Sequence, residues 1–305
     1  LKIGFYYSLI DWHHPDFPID GVHPLRNHPD ALEMNKKRDI RKYAEYLHGQ
    51  TRELLTSFGK VDIMWFDFSY PKLEYKGMPG KGRDDWQSEK LLKMVRELQP
   101  GIIVDNRLDL PDEMADIHTP EQFQPRGWVH VNGKPVVWET CQTFSGSWGY
   151  YRDEYTWKSP EQLIQMLVNT VSCGGNLLMN VGPTARGTFD DRAKAALGVY
   201  RDWMRLNARS IYGCTQSEFT APPDCRFTQN GNRLYLHVFA WPFRHIHLDG
   251  LAGKVEYAQL LHDASEIKIV EHKSEEQGAD ANTLTLEIPV RKPDVVVPVI
   301  ELFLK

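Results

Sequence analysis

Three short segments carry the residues best suited to chemistry. In KVDIMWFDFSYP (60–71) an apolar run ends on Asp67, and Trp65, two residues earlier, falls on the same side of an extended chain. An aspartate here could cap a helix. The next residues, FSYPKLEYKGMPGKG, form a glycine-bearing stretch rather than a helix start, so the carboxylate is a candidate for nucleophile or charge stabiliser. In VDNRL (104–108), Arg107 offers a planar fork of donors for a hydroxyl or a carboxylate; a salt bridge beneath a loop would use it equally well. In DIHTPEQFQP (116–125), Glu121 follows Thr119-Pro120, a pair that also reads as the opening of a helical turn. VVWETCQTFSGSWGYYRD (136–153) adds Trp138, Glu139, Trp148 and Tyr150. A second carboxylate beside Asp67 is what glycoside hydrolysis demands, since one group attacks or stabilises the anomeric carbon and the other protonates the leaving oxygen. Glu121 and Glu139 both qualify, and their spacing leaves the choice open.

These residues need elements to position them. Strand-like runs recur at Lys2–Tyr7, Val61–Phe66, Ile102–Asn106, Val136–Thr140 and Leu177–Val181, most of them continuously apolar, as in parallel strands covered on both faces. Amphipathic helices are expected at Arg41–Ser57, Asp85–Leu98, Pro160–Val171 and Asp190–Leu206, the third opened by Ser159-Pro160-Glu161. This alternation means a parallel α/β architecture, either an open doubly wound sheet or a closed barrel. Asp67, Arg107 and Glu139 fall just after strand ends, where barrel enzymes build their sites, which favours the barrel. Five strands cannot close an eightfold barrel, so the expectation is a (β/α)8-type barrel incomplete at its N-terminus over residues 1–214. Such a chain is expected to leave open sheet edges and, expressed by itself, to aggregate or to survive only by pairing those edges with another chain. After Gly213, short alternating runs separated by Gly, Asn, Asp and Pro, such as NRLYLHVFAWP and NTLTLEIPV, predict an antiparallel β-sandwich over 215–305.

Composition excludes several classes. The 305 residues are 41% hydrophobic and 25% charged, an ordinary globular profile, and a net charge of −5 gives no electrostatic footprint for nucleic acid. No apolar run approaches the ~20 residues that cross a bilayer. Four scattered cysteines, none in a CxxC pair, make no disulfide framework. His13-His14 and His245-x-His247 are weak metal signals, and no nucleotide-binding glycine motif or GxSxG elbow is present, so no metal or cofactor is called for. The nine Trp and thirteen Tyr are informative because many, such as Trp12 and Trp148, lie in polar loop-like stretches. Flat aromatic faces beside hydrogen-bonding groups suit sugars; packing beneath long loops is the bland alternative.

Taken in order, GFYYSLIDWHHP, VDIMWFD, DNR, TPEQ, WETCQTFSGSWGY and NLLMNVGPTARGTF resemble the successive signatures of glycoside hydrolase family 29, the α-L-fucosidases, from residue 3 to about residue 215. The resemblance implies a retaining mechanism on terminal fucosyl linkages of glycans, with Asp67 of W-x-D as nucleophile. It implies Glu121 of T-x-E, rather than Glu139, as general acid/base. It further implies that Arg107 bonds substrate or orients a carboxylate, that Trp65 lines the pocket, that Tyr6 reaches fucose, and that Trp148 packs on the C5 methyl group. A methyl-facing aromatic has a physical logic, because the hydroxyl of a non-deoxy sugar buried there without a partner would cost about 1–3 kcal/mol. One departure is that the family's early histidine pair and tryptophan, which bind fucose hydroxyls, have no match here; His13-His14 follows the YYS strand and is not that pair. The rival readings are a non-catalytic carbohydrate-binding homologue and a retaining glycosidase of another sugar specificity.

Overall fold

The computed structural model describes residues 1–270 and 280–305. The chain divides into two compact units, Leu1–Thr119 and Pro120–Lys305.

In the first unit, β1 (Gly4–Ser8), β2 (Ile63–Asp67) and the short β5 (Ile103–Val104) form a parallel sheet in the order β1-β2-β5. The register pairs Ser8 with Asp67, so β1 and β2 end flush. Met64, Trp65 and Phe66 are buried in succession, which is why β2 reads as an unbroken apolar run. Helix α2 (Ile40–Ser57) is capped by Asp39, whose side chain accepts the Arg41 N–H, and it buries Tyr43, Ala44, Leu47 and Leu55 at helical spacing. It comes after the five-residue α1 (Ala31–Asn35). The long helix expected from Asp85 is two pieces, α3 (Arg83–Trp86) and α4 (Ser88–Leu98), parted at Gln87, whose φ of +50° no helix tolerates. The loop after Asp67 contains a small hairpin, β3 (Glu74–Tyr75) with β4 (Met78–Pro79), that its glycines did not announce. Its close packing depends on Gly80, where a Cβ would fall 2.1 Å from the Tyr70 carbonyl oxygen. The core gathers Leu9, Phe17, Tyr43, Phe66, Trp86 and Val95 between helices and sheet.

The second unit opens with a hairpin, β6 (His130–Val131) and β7 (Lys134–Pro135), turning on Asn132-Gly133, both at positive φ. Strands β8 (Glu139–Thr143) and β9 (Asn176–Asn180) pair in parallel, joined through α5 (Pro160–Ser172). The capping box of α5 is complete: Ser159 Oγ accepts the Gln162 N–H at 3.2 Å and Gln162 Oε1 accepts the Ser159 N–H at 2.8 Å. Helix α6 (Asp191–Asn207) is next. Among the described residues the parallel strands form one three-stranded and one two-stranded sheet, without a closed barrel.

From Thr215 onward, all strand pairing among the described residues is antiparallel. The strands are β10 (Thr215–Gln216), β11 (Cys225–Asn230), β12 (Arg233–Val238), β13 (His245–Leu248), β14 (Val255–Leu260), β15 (Lys268–Val270), β16 (Leu284–Glu287) and β17 (Val299–Leu304). They make a five-stranded sheet, β10-β11-β12-β17-β14, and a three-stranded sheet, β13-β16-β15. The alternating run EIKIVEH (266–272), another of those predicting the sandwich, supplies β15; its last two residues lie outside the described residues. Along β12, Leu234, Leu236 and Val238 face a core shared by the two sheets. Tyr235, between them, joins Ile164 and Val168 of α5, Trp203 of α6, and Val297 and Val299. Both faces of the larger sheet are therefore covered, one of them by helices. The Trp203 indole donates to the Val297 carbonyl at 3.1 Å across that contact.

Behind β8 and β9, Gly175 sits against the Trp138 ring, and a Cβ there would lie 2.3 Å from a ring carbon. Gly175→Ala should destabilise the fold by about 1–3 kcal/mol, seen as a lowered thermal midpoint, because the buried indole has no room to retreat.

Candidate functional site

Asp67 is the last residue of β2, and its carboxylate is gripped from three directions. The Tyr6 hydroxyl, from the neighbouring strand β1, donates to Oδ2 at 2.7 Å. Arg107 Nη1 donates to Oδ1 at 2.8 Å, and the Phe68 N–H donates to the same oxygen at 2.8 Å. Phe68 adopts φ +77°, a left-handed conformation costly for an aromatic residue, and no helix starts there. The helix-cap reading of Asp67 thus fails, and the backbone turns sharply to aim the carboxylate.

Arg107 is itself fixed. Its Nε donates to Thr119 Oγ1 at 2.9 Å and its Nη2 to the Thr119 carbonyl at 3.0 Å. Asn106 Oδ1 accepts from both the Thr119 amide and hydroxyl. The guanidinium carbon lies over the Trp65 ring, 5.1 Å from its centroid, within cation–π range. Tyr6, Trp65, Asp67 and Arg107 are therefore brought together in the first unit. Sequence reasoning assigned Thr119 no part in this; its place in the TPEQ motif was the signal.

It also passed over Asp105, which is 2% exposed and whose Oδ1 accepts the Phe66 N–H at 3.2 Å. Burial pushes this carboxyl up to about 7, against the pull of the Phe66 N–H and Arg107, with the nearby Asp67 charge adding to the rise. An acidic residue inside an otherwise apolar strand run was the available clue.

In the second unit, Glu121 belongs to no helix. Residues 120–122 lie as a short extended segment beside β8, with a parallel bridge between Glu121 and Cys141, the Gln122 N–H donating to the Cys141 carbonyl at 3.1 Å and the Cys141 N–H to the Pro120 carbonyl at 3.2 Å. Glu121 itself is exposed. Glu139 requires a correction. It was expected just past a strand end, but it is the first residue of β8, at the opposite end of the strand from Thr143. The apolar pair Val136-Val137 suggested an earlier strand; the strand that forms, ETCQT, is polar by composition. Burial raises the Glu139 carboxyl above its ordinary range.

Trp148 stands in the loop 144–158 that leaves the carboxyl end of β8. Its carbonyl accepts from Asn180 Nδ2, at the end of β9, at 2.6 Å. Arg192, in the first turn of α6, pins the same loop by donating to the carbonyls of Glu154 at 2.7 Å and Arg152 at 3.1 Å. It also lies over the Trp157 ring, and its pairing with Asp190 holds that carboxyl down to about 2. A narrow cleft here is lined by Phe144, Ser147, Tyr150, Trp157 and Asn180. Among the described residues, no group of three or more His, Cys, Asp or Glu is placed to hold a metal ion, and no helix is long and apolar enough to cross a membrane. His245 and His247 alternate with buried Ile246 and stack on one strand face.

Parallel β/α units that end a strand on a clamped carboxylate, followed by antiparallel β-sheets, define a parallel α/β protein with a strand-end acidic site. Residues 1–209 match the family model described as Alpha-L-fucosidase, and the chain belongs to that family. Among curated relatives, the plasma alpha-L-fucosidase of Homo sapiens is 26% identical over 94% of the chain and 56% of its own length. The alpha-L-fucosidase of Dictyostelium discoideum is 27% identical over 70% of the chain and 42% of its own length. The chain thus spans about half the length of these relatives. Of solved structures, alpha-L-fucosidase isoenzyme 1 from Paenibacillus thiaminolyticus superposes with a TM-score of 0.90 at 40% identity, over 100% of this chain and 72% of that one. A GH29 alpha-L-fucosidase from Bacteroides thetaiotaomicron, trapped as a covalent intermediate with 2-fluoro-fucosyl fluoride, gives 0.79 at 25% identity, over 100% of this chain and 68% of that one.

Proposed function

We propose that the protein is a retaining α-L-fucosidase acting on terminal α-L-fucosyl groups of oligosaccharides or glycoconjugates, with Asp67 as nucleophile and Glu121 as general acid/base. The observation that carries this reading is the Asp67 carboxylate, aimed by Tyr6, Arg107 and the Phe68 N–H at a strand end. In the first step an Asp67 oxygen bonds to the anomeric carbon as the glycosidic C–O bond breaks, and Glu121 gives its proton to the departing oxygen. In the second, water loses a proton to Glu121 and its oxygen displaces Asp67 from the same carbon. The Arg107 guanidinium orients the carboxylate through its hydrogen bond to Oδ1, and it stabilises the charge that returns when the ester is hydrolysed. Glu121 is favoured over Glu139 because Glu139 opens its strand and is half-buried, whereas Glu121 is exposed.

Tyr6, Trp65, Arg107 and Trp148 are the substrate contacts of this reading, Trp148 facing the C5 methyl. Residues 1–214 serve as the catalytic portion, belonging to a (β/α)8 barrel, and 215–305 as the sandwich domain. The trapped intermediate of the Bacteroides relative supports retention. The test is the anomer released when the full-length protein hydrolyses an aryl α-L-fucoside, followed by proton NMR. The α-anomer should appear first and the β-anomer only through mutarotation; prompt β-fucose would mean inversion, and no hydrolysis would sink the reading.

A further inference from the structure

Asp105 is a carboxyl group with an unexplained environment. It follows β5 directly, the strand whose Ile103 and Val104 pair in parallel with Ile63 and Met64 of β2. Its Oδ1 accepts the Phe66 N–H, the amide immediately before the Asp67 residue, and the Arg107 N–H also bonds this carboxyl. Its Oδ2 is buried with no hydrogen-bond partner, a situation an ionised carboxylate does not tolerate cheaply. One small carboxyl thus joins the backbone behind the two residues whose side chains meet at the site, Asp67 and Arg107.

We propose that Asp105 is a positioning residue for Asp67, fixing through its carboxyl group the strand end that carries the nucleophile and leaving the Arg107 guanidinium to Asp67. This rests on the reading of Asp67 as nucleophile. The charged and titratable groups around Asp105 are few. Asp67 faces it from β2 and Arg107 from its own segment. Along the 116–118 segment, which bridges to it through Ile117, Asp116 is paired with Arg96 at 2.7 Å and His118 stands 3.9 Å from Asp112. Burial with Asp67 alongside keeps Asp105 neutral below a pH of about 7. Above it, a second negative charge appears beside Asp67 and competes for Arg107, so kcat/KM should fall.

Asp105→Asn preserves the acceptor oxygen and removes the titration. In the full-length protein it should keep acidic-side activity within about twofold of wild type while moving the alkaline limb of kcat/KM upward. Asp105→Ala should lose roughly tenfold or more in kcat with KM little changed, because the strand end is no longer held. Independently of turnover, protein labelled with 13C at aspartate carboxyls should show one resonance titrating at about 7 that Asp105→Asn lacks. A wild-type protein that cleaves no fucoside counts against the fucosidase reading, since the carboxyl titration is read without substrate. An Asp105 resonance titrating in the ordinary carboxylate range overturns the proposal, as does an asparagine variant whose pH profile superimposes on wild type.

Discussion

Replacing Asp67 by alanine should lower turnover of an aryl α-L-fucoside by on the order of 10⁴-fold or more, the scale on which deletion of a covalent nucleophile acts. The fold should survive, because Asp67 is partly exposed and its removal leaves Tyr6 and Arg107 able to bind water. Added azide should recover part of the rate by entering the space the carboxylate leaves. It would then reach the anomeric carbon from the face opposite the leaving group, and the product should be β-L-fucosyl azide. Unchanged turnover, or rescue giving only the α-azide, would remove Asp67 from its role.

The second large effect belongs to Glu121. Its alanine variant should lose on the order of 10²–10⁴-fold against natural fucosylated disaccharides, whose alkoxide leaving groups need a proton. Aryl fucosides with acidic phenol leaving groups need little help in departing, so their first step should suffer far less and the fucosyl-enzyme should accumulate. Azide attacking that intermediate gives α-L-fucosyl azide, the opposite anomer from the Asp67 variant, so product stereochemistry alone separates the two roles. Glu139→Gln is the control. If it, and not Glu121→Ala, shows leaving-group dependence and the α-azide, the acid/base assignment passes to Glu139 despite its place at the start of β8.

Asp67 was legible because a parallel strand covered on both faces leaves a continuous apolar signature, and a charge terminating such a run in VDIMWFD stands out. Capping chemistry announced α5 through Ser159-Pro160 just as plainly. Where the sequence misled, local composition opposed tertiary context. Strand β8 is made of Glu, Thr, Cys and Gln, while the more apolar Val137 beside it is exposed, so the expected strand ran three residues early and put Glu139 at the wrong end. The break at Gln87 and the hairpin at Glu74–Pro79 depend on backbone dihedrals that residue type does not reveal. The clamp around Asp67 was invisible for another reason. Tyr6, Arg107 and Thr119 lie far apart in the chain, and only pairing of β1 with β2 and the return at Thr119 bring them to one carboxylate.

The helical cover on the outer face of the five-stranded sheet bears on how such a chain can be recombined. Each compact unit keeps whole hydrophobic clusters of its own, so a gene fusion joined at Thr119–Pro120 inherits intact cores from both parents. A join near residue 215 looks natural because the strands change there from parallel to antiparallel. It would instead draw Trp203 and Val168 from one ancestor and Tyr235, Val297 and Val299 from another. Those side chains interlock, and the Trp203 indole needs a carbonyl on the far side of the seam. Chimaeras spliced at that point inherit a mismatched seam, and the sandwich is passed on with the helices that roof it.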